Sequence, residues 1–178
     1  MDSEEIARRG KELETYWYGE NGFRQKYLID MVPLPFVADE DVIGGRLIVA
    51  TGDMRLRKVA EQFAGHFKRE LRFDFLQFTA TGSNRGQEVL LINSRDVVML
   101  SPVACGAVGF DLEEKCLTWV WIHPFQRGRG LLDWVWEGLE RRHGTEFTVE
   151  QPVSIPMQRF LQSKGVDPAR WGGPSPTE

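Results

Sequence analysis

One stretch constrains this chain more than any other: Leu117-Thr-Trp-Val-Trp-Ile-His-Pro124, then Phe-Gln-Arg-Gly-Arg-Gly130, then a periodic run from Leu131 to His143. The first part has the apolar, β-branched and aromatic content of a strand. The last carries Leu132, Val135, Trp136 and Leu139 at helical spacing and ends in Arg141-Arg142-His143, which complement a helix C-terminus. A strand that runs through a glycine turn into a helix leaves the first helical amides without intrahelical acceptors, at the positive end of the helix dipole. Such a corner is an anion site suited to a diphosphate. Gly128 and Gly130 let the chain turn and let a ligand approach, and Arg127 and Arg129 add cationic donors. A P-loop would need Gly-x-x-x-x-Gly-Lys-Ser/Thr and a dinucleotide fold Gly-x-Gly-x-x-Gly; neither occurs. The plain alternative is a tight strand-to-helix connection that binds nothing.

The rest of the chain supplies a sheet and two more helices to this corner. Arg46–Ala50 reads as a strand, Thr51-Gly52-Asp53 as a turn whose Asp53 can cap a helix, and Met54–Leu71 as that helix. Leu56, Val59, Ala60, Phe63 and Phe67 form its apolar stripe. Phe73–Phe78 is ambiguous between strand and short helix, and Thr79–Gln87 is a loop. Glu88–Asn93, Val97–Ser101, Cys105–Leu112 and Cys116–His123 are successive strand-like runs, read as a meander interrupted at Pro102. Glu146–Glu150 is a short strand and Ser154–Lys164 a last helix stopped by Gly165. Ahead of these, Ser3–Trp17 reads as an amphipathic helix and Tyr27–Phe36, with Pro33 and Pro35, as an extended edge arm. The division is residues 1–44 as a helical and extended N-terminal arm, 45–166 as the main domain, and 167–178 as a frayed tail. Trp119 and Trp121, and Trp134 and Trp136, are expected mostly in the core on opposite faces, with one or two left for an acceptor pocket or an oligomer surface.

With 178 residues the chain suffices for one core, and its net charge of -4 disfavours a general nucleic-acid or anionic-membrane binder. Two cysteines, Cys105 and Cys116, without paired metal-ligand spacing indicate neither a disulfide framework nor a metal site. An acidic N-terminus and short apolar runs are expected of a cytoplasmic protein with no membrane segment.

The run Ile122-His-Pro-Phe-Gln-Arg-Gly-Arg-Gly-Leu-Leu132 resembles the signature of the GNAT family of acyl-CoA N-acyltransferases: an apolar residue, His-Pro, two variable residues, then Arg-Gly-x-Gly-x-Gly/Ala. It departs at Leu132, where the family has Gly or Ala. The order of elements is also similar over Gly45–Val166. The resemblance implies an α/β (α+β) fold with a mixed, mostly antiparallel sheet flanked by helices and an N-terminal helical extension. It implies acetyl-CoA as cofactor and acetyl transfer to an amine of a small molecule or protein. Carried over residue by residue, it puts the backbone of Val120 and Ile122 against pantetheine, and the loop from Arg127 through Gly128, Arg129, Gly130 and Leu131 to Leu132 around the pyrophosphate.

Thioester-to-amine transfer needs a neutral nucleophile, an oxyanion donor and a proton for the departing thiolate. A backbone N–H between Val120 and Ile122 serves the second need. The tyrosine that family members often carry on the last helix is replaced here by the pair Phe160-Leu161, so Ser154, Ser163 or water is left as the acid. Ser154 also stands where many members place a cofactor-touching Asn, and its structural alternative is a helix cap. Glu150 at a strand end is the first candidate base, with His123, Asp111 and Glu113 behind it; its structural alternative is a solvated carboxylate. Two other functions compete: a catalytically inactive CoA-binding or protein-interaction module of the same fold, and a transferase acting on charged RNA, which the acidic balance disfavours. A homodimer fits the aromatic content. The tail after Val166 lacks a closing strand pair, and the Tyr27–Phe36 arm is expected to cover the sheet edge this leaves.

Overall fold

The computed structural model describes residues 31–34, 37, 41–82, 86–94 and 102–173. The expected Ser3–Trp17 helix and Val97–Ser101 strand lie outside them. The described residues build a mixed α/β structure: a seven-stranded, mostly antiparallel open sheet with three helices. The strands are β1 (Val32–Pro33), β2 (Val42–Ile43), β3 (Leu47–Val49), β4 (Gln87–Asn93), β5 (Val103–Asp111), β6 (Cys116–Ile122) and β7 (Thr148–Val149), and the helices are α1 (Met54–Leu71), α2 (Leu131–His143) and α3 (Ile155–Ser163). The sheet runs β2-β3-β4-β5-β6-β7, with β1 paired to β5 off this path. All pairs are antiparallel except β6 with β7. The β2–β3 hairpin crosses Gly45, so the arm and the main domain share one sheet.

The sheet is covered on both faces, which is why β4 is apolar without alternation. Val89 and Leu91 point into the layer of α1, with Leu56, Phe63 and Phe67, while Leu90 and Ile92 point into the layer of α2 and α3, with Val135, Leu139 and Leu161. Trp119 and Trp121 both join the α1 layer. They share a face rather than opposing each other, because residues two apart on a strand must. Helix α1 has the expected limits, with the Asp53 carboxylate accepting from the Arg55 amide at 2.7 Å. Helix α2 also starts and stops as read, ending at Gly144.

Three local expectations are corrected. Phe73–Phe78 is neither strand nor helix but a bent segment, with Phe78 buried and Phe75 exposed. Residues after Val166 do not fray as far as Gly173: Asp167 caps a 3-10 turn at Pro168–Arg170, Arg170 Nε donates to Phe147 O at 2.8 Å, and Trp171 is buried. The described part of the arm, residues 31–34, meets the sheet at an interior strand instead of the outer edge. Val32 and Pro33 pair with Ala104 and Val103 of β5, and the C-terminal turn packs beside β7.

Candidate functional site

The site begins with an extra residue in β6. Gly109 of β5 faces Trp119 and Phe110 faces Leu117, so Thr118 has no partner of its own and the strand carries a bulge there. A bulge bends and twists its strand. Below it, β6 pairs with β7 in parallel at Cys116–Thr148 and Leu117–Val149, and Glu150 N donates to Leu117 O at 2.9 Å. Above it, β7 has ended and the two strands part. His123 N donates to Cys105 O at 2.7 Å. By strand alternation, the peptide groups of Trp119 and Trp121 then face β5 and those of Val120 and Ile122 face the gap.

His123 closes the strand and starts the corner. Its ring Nδ1 accepts from Phe125 N at 3.1 Å at the head of a 3-10 turn, Pro124–Gln126, and the residue is buried. Its place is structural. The chain then passes through Gly128 (φ +71°) and Gly130 (φ +72°) into α2. Both are in the left-handed region open to glycine, and a Cβ on Gly128 would meet nothing within 4 Å, so the cradle is open on that side. Gly130 caps α2 without a side-chain bond. The amides of Gly128, Gly130, Leu131 and Leu132 make no hydrogen bond to another described group. This is the corner expected from the sequence.

Between the corner, the parted strands and the N-terminus of α3 lies a cavity of about 420 Å³. Of the expected cofactor residues, Val120, Ile122, Arg127, Gly128, Gly130, Leu131 and Leu132 line it; Arg129 does not, and its guanidinium lies 5.9 Å from the Phe125 ring centroid. Leu132 presents its side chain where the resemblance implies Gly or Ala. Asp133, in the first turn of α2, pairs with Lys164 at 2.7 Å, and that hydrogen-bonded pairing raises the Lys164 pKa. Ser154 lies on the lining, at the N-cap of α3, with its hydroxyl making no capping bond. It is the one side-chain hydroxyl among the described lining residues.

Glu150 is not on the lining. Burial, then the nearby Asp111 charge, raises its pKa, and it lies level with Leu117 at the far end of β6. Asp111 itself accepts from the amides of Glu113 and Glu114, both at 2.9 Å, and shapes the β5–β6 turn. Ser163 donates to Phe160 O. Leu161, at the position where the resemblance implies a tyrosine, is fully buried in the α2–α3 layer, while Phe160 lines the cavity.

Sequence reading missed the contribution of α1. Phe67, Glu70 and Leu71 form one wall, and Glu70 accepts from Arg127 Nη1 at 2.6 Å, Arg127 Nη2 at 2.7 Å and Trp121 Nε1 at 2.7 Å. Arg127 Nε donates to Ile122 O at 2.8 Å, so its guanidinium is turned back along the corner instead of outward to an anion. A signal was present: Phe63, Phe67 and Glu70 are spaced i, i+4, i+7, which puts a carboxylate on the buried stripe. Met157 and Phe160, three apart on α3, also carried one.

Among the described residues no helix is long and apolar enough to cross a membrane. No protein-family model, no curated protein and no solved structure matches this chain.

Proposed function

We propose that this chain binds acetyl-CoA and transfers its acetyl group to an amine of a small molecule or a protein, in the manner of the GNAT family its corner resembles. One observation carries the reading: Gly128, Gly130, Leu131 and Leu132, whose amides bond to no other described group, line the same cavity as the β6 edge at Val120 and Ile122, which no strand pairs and where only Ile122 O is held, by Arg127 Nε. A diphosphate needs the first feature, and an amide-bearing arm such as pantetheine needs the second.

Bound there, acetyl-CoA would supply an activated thioester. The amine nitrogen attacks its carbonyl carbon, the C–S bond breaks, the nitrogen loses a proton and the thiolate gains one. The edge amide of Val120 or Ile122 stabilises charge on the carbonyl oxygen, and the apolar walls of Phe67, Leu71, Met157 and Phe160 exclude water and strengthen that interaction. Both lining carboxylates are paired, Glu70 with Arg127 and Asp133 with Lys164. Proton removal from the amine therefore falls to water, and proton delivery to sulfur falls to Ser154 or solvent.

Calorimetry with acetyl-CoA tests binding, and thiol release with an amine panel tests transfer. Gly128→Glu sets a charge beside the diphosphate, a repulsion of about 1 to 4 kcal/mol at 4 Å, and lowers CoA affinity by about tenfold or more. Gly128→Ala shares the backbone strain without the charge and loses less. Equal affinity for Gly128→Glu and the parent would place the diphosphate elsewhere. A second reading, a CoA binder without catalysis, draws support from the burial of Leu161 and the remote position of Glu150; binding without thiol release would select it.

A further inference from the structure

Glu70 stands against two local rules. It lies in the last turn of α1, where the helix dipole disfavours a carboxylate, and its side chain is only 8% exposed, where an unpaired charge is costly. A residue that breaks such rules is held by something the local sequence does not supply. Here that is Arg127, in a two-pronged pair, with the Trp121 indole N–H as a third donor. The same guanidinium holds Ile122 O. One α1 side chain thus ties together the end of β6 and the entry to the glycine corner. The backbone holds that entry weakly, since Arg127 N reaches Pro124 O only at 3.4 Å.

We infer that Glu70 is a positioning residue for the cofactor corner: acting through Arg127, it sets the direction in which the amides from Gly128 to Leu132 point. The part of this inference that concerns CoA rests on the function proposed above; the part that concerns the corner does not. Helix α1 is thereby tied through Glu70 to the entry of the corner, so that a disturbance on the α1 wall is felt as a change in cofactor affinity.

The test uses the full chain with Glu70→Gln, which keeps the size of the side chain and an acceptor for Trp121 but removes its charge. Hydrogen exchange without ligand should quicken at the entry to the corner, where the amides of Gln126 and Arg127 are hydrogen-bonded to His123 O and Pro124 O, while the interior of α2 stays protected. CoA affinity should fall about tenfold, the loss expected for a charge-assisted pair. Arg127→Gln should give a similar fall, and the double variant no more than either alone, because both act through one contact. Unchanged exchange at the corner entry, additive losses, or tighter CoA binding by Glu70→Gln would overturn the inference. Should Glu70→Gln fail to fold, Arg127→Lys asks the same question from the other partner. If the parent protein binds no CoA, the acetyltransferase reading falls, and the exchange experiment still decides the role of Glu70.

Discussion

His66 shows how much a single side chain here depends on its layer. Its ring stacks on Trp121, with centroids 5.0 Å apart and planes within 20°. Burial, helped by the Arg69 charge, lowers its pKa from 6.5 to about 4. His123 adds to the lowering and Glu70 opposes it. The folded protein keeps His66 neutral until about pH 4, whereas the unfolded chain takes up its proton near pH 6.5. The unfolded state therefore binds more protons between these values, and stability falls as pH drops through that window. His66→Phe preserves the stack and removes the proton, so it should lose less stability between pH 7 and pH 5 than the parent, measured by urea midpoints. Parallel losses in the two proteins would sink the idea. Burial also lowers the His143 pKa, but both proteins share that contribution. The pattern of residues around His66 was only partly legible. The stripe of α1 was, but which strand Trp would meet it depends on a bulge at Thr118 that no local pattern announces.

At the level of elements, the two ends of α2 are set by different chemistry. Helix α2 presents open amides at its N-terminus, while its C-terminal end is anchored to β4. Buried Glu88 accepts from Arg142 Nε at 2.8 Å. His143 Nε2 lies 3.0 Å from the same carboxylate without the alignment of a hydrogen bond, and its ring stacks on Phe110 at 3.8 Å. Glu88→Ala strands the Arg142 guanidinium and should cost about 3 kcal/mol, near the lower end for a broken buried pair because Arg142 is a third exposed. On the proposed function, the corner at the other end should bind CoA as the parent does. Urea unfolding and calorimetry on one preparation check both halves. The limits of α1 and α2 could be read in advance because period, caps and stop signals agreed there. Strand β7 was read too long, since Glu146–Glu150 pairs with β6 only at Thr148–Val149 before the bulge carries β6 away.

For the molecule as a whole, the C-terminal segment is a structural part and not an appendage. Trp171 is 3% exposed in the α2–α3 layer, donates to Val166 O at 3.2 Å, and follows Arg170, whose guanidinium lies 5.1 Å from the Phe147 ring centroid. Trp171→Ala should destabilise the fold by about 3 to 5 kcal/mol, the usual cost of truncating a buried aromatic. A thermal unfolding midpoint unchanged by this substitution would mean that the tail does not carry the layer. From sequence the tail looked frayed, because Pro and Gly dominate it and its partners lie far back in the chain.

The amino-acid sequence alone determined the strand-turn-helix corner, the two long helices with their caps, and the apolar content of a sheet covered on both sides. These depend on interactions within a few residues, on side-chain period, helix-end amides and glycine torsions, and so they are written locally. Only the tertiary structure decided that β6 bulges and parts from β7, that the arm pairs at β5, that Glu150 lies away from the cavity, and that Glu70 reaches Arg127. Each of these joins groups brought together by sheet order and layer packing, and a partner tens of residues away leaves no period in the chain that has to meet it.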